Sequence, residues 1–167
     1  MQFKNLLFLA AAGLIKGFII PEGLANGAYT IEVDENGEDV LKPIEGFDGT
    51  ATLSRRDPLP AGELGCTGNG IDYNDLAIAQ NQLYNYCGAG AQMHDRRVVF
   101  AHGGAHAYVC NYGGPNSCAD HEAQAAFSSL QGHCGNRNSP VGGWYWLKDW
   151  AKTYGYDSAG AEICGNM

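Results

Sequence analysis

Apolar and polar residues change period several times along this chain, and each period predicts an element. Over residues 72–87, Tyr73, Leu76, Ala79, Leu83 and Cys87 recur at three- and four-residue steps. That is the single apolar stripe of a helix, and Gly88 supplies its left-handed stop. A second helix is expected over residues 117–131, with Ala119, Ala123, Ala126, Phe127 and Leu130 on its buried face. Ser117 with Asp120 resembles a capping box, and Gly132 ends the run. Between the helices, residues 96–101 and 107–112 are strand-like, with His102-Gly103-Gly104-Ala105-His106 turning between them. Residues 143–150 and 153–156 read as further strands. Nearer the N-terminus, residues 28–33 alternate, Asp34-Glu35-Asn36-Gly37 reads as a turn, and residues 39–44 return as a second strand. Two helices separated and followed by strands predict an α+β domain with a small antiparallel sheet.

The ends of the chain change that picture. Lys4 precedes the apolar run LLFLAAAGLI at residues 6–15, which has the form of a signal-peptide core. It is too short to cross a bilayer, which takes about 20 residues. Cleavage is expected near Gly17 or at Ala25, and no other segment is apolar enough to insert in a membrane. Composition then steps sharply at Arg55-Arg56. All six cysteines, all five histidines and all three tryptophans lie beyond it. A dibasic pair at such a boundary is the substrate of a kexin-type protease. The expected organisation is a signal peptide (1–17), a leader or propeptide carrying the hairpin (18–56) and a mature domain (57–167).

Export fits the cysteines, Cys66, Cys87, Cys110, Cys118, Cys134 and Cys164. Their number is even and none forms a C-x-x-C pair, so three disulfides in an oxidising, extracellular setting are expected. Cys118 and Cys134 stand at opposite ends of the second helix, roughly 24 Å apart at helical rise, and cannot bridge. Cys110 and Cys118 can close the Gly113-Gly114-Pro115 loop.

Charge and motifs remove several function classes. The net charge is −8, and the cysteine-bearing region holds no basic stripe. Binding to nucleic-acid phosphates, which needs clustered Lys or Arg, is not expected, nor is adsorption to anionic lipid. His121-Glu122 begins like H-E-x-x-H, but residue 125 is Ala125, so no zinc site and no metal is expected. His102 and His106 flank two glycines and read as exposed loop residues. His133 sits where a helix dipole favours it. No nucleophile elbow, P-loop or dinucleotide fingerprint is present, and no cofactor is expected. A small secreted ribonuclease is the enzymatic alternative. It would need these histidines, or one with a glutamate, to converge with Arg96, Arg97 or Arg137 around a phosphate.

The aromatic run Gly143-Trp144-Tyr145-Trp146-Leu147-Lys148-Asp149-Trp150 holds every tryptophan. As a strand it puts Trp144, Trp146, Lys148 and Trp150 on one face and Tyr145, Leu147 and Asp149 on the other. A small domain can hardly bury both faces. Exposed rings beside Asn, Asp and Gly suit sugars, whose C–H faces stack on them, and equally suit protein interfaces.

A resemblance adds to this reading. Cys66, Asp75-Leu76-Ala77, Tyr86-Cys87-Gly88, Ala107-Tyr108-Val109-Cys110-Asn111-Tyr112 and Cys118 follow a familiar order. Glu122-Ala123, Cys134-Gly135, Gly142-Gly143-Trp144, Tyr154-Gly155-Tyr156 and Ile163-Cys164 continue it. The chain thus resembles small fungal secreted proteins related to a mushroom glycan-binding protein. That implies a compact α/β/α-type arrangement and a non-catalytic, lectin-like function toward a carbohydrate or glycoprotein. Trp144, Tyr145, Trp146 and Trp150 are the expected glycan contacts, followed by Tyr154 and Tyr156. An effector or toxin that binds a host protein through the same rings is the other alternative.

Overall fold

The structure, a computed structural model, describes residues 17–47, 59–88, 90–93 and 97–165. The apolar run at 6–15, the Arg55-Arg56 pair, His94, Asp95 and Arg96 lie outside them. The first elements in chain order are β1 (Phe18–Ile19), β2 (Gly27–Val33), β3 (Asp39–Pro43), β4 (Glu63–Gly70) and α1 (Tyr73–Cys87). Next come β5 (Ala91–Met93), β6 (Arg97–His102), β7 (Ala105–Asn111), β8 (Asn116–Cys118) and α2 (Asp120–Cys134). The chain ends with β9 (Val141–Leu147), a 3₁₀ turn (Lys148–Trp150), β10 (Lys152–Ser158) and β11 (Glu162–Ile163).

Seven strands form one antiparallel sheet in the order β3-β2-β6-β7-β10-β9-β4. The α+β class holds, but the small sheet expected from the sequence becomes a large one, for two reasons. The N-terminal hairpin adds β2 and β3 to the edge of β6, Thr30 facing Val98. The other reason is β4, a glycine-rich strand with no hydrophobic alternation to betray it; it pairs with β9, and its register shifts between Cys66 and Gly70.

Both helices cover the same face of this sheet. Leu76, Ala79 and Leu83 of α1 meet Ala123, Phe127 and Leu130 of α2 over Val98, Phe100, Ala107, Val109, Tyr154 and Tyr156. The layers are therefore helix on sheet and, among the described residues, no helix lies on the far side as an α/β/α arrangement would have. On that far face, β1 pairs with β11, and Ile20, Ile31, Val99, Tyr108, Cys110 and Ile163 form a smaller cluster.

Local chemistry explains the helix ends. The Asp72 carboxylate accepts from the Asn74 and Asp75 N–H groups at 2.8 and 3.1 Å, capping α1. Gly88, at φ 42°, closes the helix by donating its N–H to the Tyr84 carbonyl. The second helix differs from expectation at both ends. Its N-cap is Ala119, with no side-chain cap, because Ser117 is taken up by β8 in a ribbon with β5. At its other end α2 runs through Gly132 to Cys134, which is tied to Cys66 on β4.

The bridges are Cys66–Cys134, Cys87–Cys118 and Cys110–Cys164, with Cα separations of 5.4, 5.0 and 5.6 Å. Cys118 and Cys134 are not paired, as helix length requires. Nor is Cys110 paired with Cys118. The two lie in clusters on opposite faces of the sheet, so the short loop between them cannot bring their sulfurs together.

Candidate functional site

Alternation along β7, β9 and β10 sorts their aromatic residues onto the two faces. Tyr145 pairs across to Tyr154, and Gly143 to Tyr156, on the helix side. Tyr154 and Tyr156 are fully buried there, Phe127 lying edge-on to each at centroid distances of 6.5 and 5.5 Å. Tyr145 is also buried, its hydroxyl donating to the Pro60 carbonyl at 3.4 Å. These three expected contacts are core residues, covered by the helices and by the segment before β4.

Trp144 and Trp146 point the other way, into the face that neither α1 nor α2 covers. Gly155 stands opposite Trp144 and Thr153 opposite Trp146 on β10, while Gly65 and Glu63 are their partners on β4. The glycines are what let the rings lie low on the sheet. A Cβ at Gly65 would run into the Trp144 indole, and one at Gly155 into the Tyr108 ring. Tyr112, at the end of β7, packs edge-to-face on Trp146, with centroids 5.2 Å apart and planes at 87°. Trp144, Trp146 and Tyr112 are each half-buried, the Tyr112 hydroxyl being wholly so. Tyr112 was missed from sequence. The signal was present in the alternation of Tyr108, Cys110 and Tyr112, which marks one face of β7.

Trp150 does not join them. The strand expected to reach it stops at Leu147, and the 3₁₀ turn ends at Ala151 in a left-handed conformation (φ 45°). This breaks the two-residue period, and the Trp150 ring comes to lie 5.0 Å from the Lys152 ammonium. Lys152 is itself buried. It donates to Glu122 Oε2 at 2.7 Å and to the Ser117 carbonyl, while the Tyr154 hydroxyl donates to the same carboxylate oxygen at 2.5 Å. Burial, and then the nearby Glu122 charge, hold the Tyr154 phenol well above its ordinary pKa. The cluster fastens the first turn of α2 to β10.

Polar groups flank the rings of the open face. Asp157, opposite His106 on β7 and beside Gly142 on β9, accepts from the Asn69 amide at 2.8 Å. Thr67 and Glu63 on β4 are exposed. His106 is 1 % exposed and neither ring nitrogen has a hydrogen-bond partner among the described residues. Its burial outweighs the adjoining Asp157 and lowers its pKa. His102 projects from the opposite face, because it pairs with Ala105 while His106 pairs with Ala101. His121 stands beside Asp120 at the start of α2, and His133 is exposed at its end. The described histidines thus sit at separate places, and among the described residues no three His, Cys, Asp or Glu side chains cluster to hold a metal. The open face can stack rings and exchange hydrogen bonds with a ligand.

The chain matches no protein-family model, no curated protein and no solved structure.

Proposed function

We propose that this is a secreted, non-catalytic, lectin-like protein that holds an extracellular or host glycan on the open face of its sheet. The reading rests on one observation: Trp144 and Trp146, with Tyr112 packed on Trp146, are only half-buried on a sheet face that neither helix covers. Indole and phenol faces are negative at the ring centre and accept the polarised C–H groups of a pyranose. Asn69, Thr67 and Glu63 stand at hand for the hydroxyls. A contiguous half-exposed aromatic patch with a polar margin is the usual form of a recognition surface. The likeness to small fungal glycan-binding proteins points the same way.

Export and processing belong to the same proposal. The signal peptide is removed near Gly17 rather than at Ala25, since the later cut would strip away β1 and the fully buried Ile20. Cleavage after Arg56 would leave the β2–β3 hairpin without a covalent tie, because all three disulfides lie between Cys66 and Cys164. A glycan array probed with the oxidised protein is the first test. Specific signal on a set of related glycans, lost in Trp146→Ala, supports the reading. A blank array with a protein captured from host extract through the same rings would instead support the effector alternative.

A further inference from the structure

On the other side of the molecule, α1 and α2 leave a groove between their outward faces, and it is built from polar side chains. It forms an open depression of about 260 Å³, room for one monosaccharide-sized molecule. Tyr73, Gln80 and Tyr84 line it from α1, Gln131 from α2, and Arg137 from the loop after α2. Its floor is apolar, where the Tyr84 ring leans on Phe127 at 5.8 Å.

Two of its donor groups have capacity to spare. Gln80 is 7 % exposed, and its buried Nε2 has no hydrogen-bond partner among the described residues. Buried amide groups are almost always paired, so an orphaned one lining a cavity marks a place for an acceptor. Arg137 is the second. Its Nε donates to the Tyr73 hydroxyl at 2.9 Å, and its guanidinium lies 5.6 Å from the centre of that ring. These contacts aim the side chain, and among the described residues its terminal N–H groups have no protein acceptor. Among the described residues no carboxylate pairs with it, although acidic residues outnumber basic ones, 18 to 10. A guanidinium fork of this kind matches a carboxylate in two parallel hydrogen bonds.

We infer that the α1–α2 groove is a second ligand site, for a carboxylate-bearing molecule of monosaccharide size such as a hexuronate. Arg137 takes the carboxylate, Gln80 donates to a ring or hydroxyl oxygen, and the Tyr84 ring lies beneath the sugar. The site is separate from the aromatic face across the sheet and does not depend on it.

The test is a titration of the full, oxidised protein with glucuronate, followed by the side-chain N–H signals of Gln80 and Arg137 in NMR spectra. Glucose and acetate serve as the neutral and the sugarless controls. Saturable shifts at both residues are expected with glucuronate and not with either control. Arg137→Ala should weaken binding by about tenfold or more, the loss of a charge-assisted pair. Arg137 is exposed on a loop, so that change leaves the fold intact. Gln80→Leu should weaken binding less, and Trp146→Ala should leave it unchanged. Absence of saturation with glucuronate, equal response to glucose or acetate, or indifference to Arg137→Ala would each overturn the inference.

Discussion

The two faces of the sheet draw on the same aromatic-rich strands and treat them oppositely. On the helix side, Tyr145, Tyr154 and Tyr156 fill a core closed by Phe127 and its neighbours. On the other side, Trp144 and Trp146, from the very same strand as Tyr145, are only half-buried. Period-two alternation makes the separation, and the placement of both helices on one face decides which set is buried. Aromatic density in a sequence therefore says little about a binding surface until one knows which side is covered.

The largest effect should come from opening the closed face. Phe127→Ala removes the ring that touches Tyr84, Tyr154 and Tyr156 and should cost about 3–5 kcal/mol in denaturant unfolding. Trp146→Ala, on the open face, should cost much less, about 1 kcal/mol for a half-buried ring. Equal losses would erase the distinction between the faces. Replacing both Cys110 and Cys164 by Ala releases the β11 end from the sheet and should cost about 2–4 kcal/mol. Gly65→Ala probes the open face without removing a ring. The new methyl displaces the Trp144 indole from its seat, so glycan affinity should fall about tenfold and stability by about 1–3 kcal/mol.

The smallest effect is a pH dependence from His106. Its folded pKa lies below the ordinary 6.5, chiefly through burial, with Asp157 opposing. As pH falls through 6.5, the unfolded chain takes up a proton that the folded chain refuses. Stability is therefore full above that pH and declines on acidification. His106→Gln should flatten the slope of unfolding free energy against pH below 6.5. An unchanged slope would mean that His106 is not held neutral by the fold.

Sequence patterning was informative where side chains carried it. The α1 stripe and its Gly88 stop, the β6–β7 turn, strands at β9 and β10 and the N-terminal hairpin were all legible. β4 was not, because Gly65, Gly68 and Gly70 have no side chains to alternate, and Gly68 sits at φ +88°. The end of α2 was misjudged at Gly132, whose helical cost of about 1 kcal/mol is offset by the tertiary tie at Cys134. Pairing of the cysteines follows from strand order, which no local pattern encodes. Within the site, parity grouped Trp144, Trp146 and Trp150 on one face, and the structure departs from it at Trp150 because β9 ends at Leu147 and a 3₁₀ turn takes over at Lys148.

The central claim is that carbohydrate sits on the open face, and one comparison tests it most directly. The glycan giving the strongest array signal is titrated calorimetrically into the wild type, Trp146→Ala and Trp150→Ala, each first checked for native unfolding. Trp146→Ala should abolish binding, and Trp150→Ala, altered at a ring packed beside Lys152, should bind like the wild type. Binding that survives Trp146→Ala but is lost in Trp150→Ala would contradict the assignment.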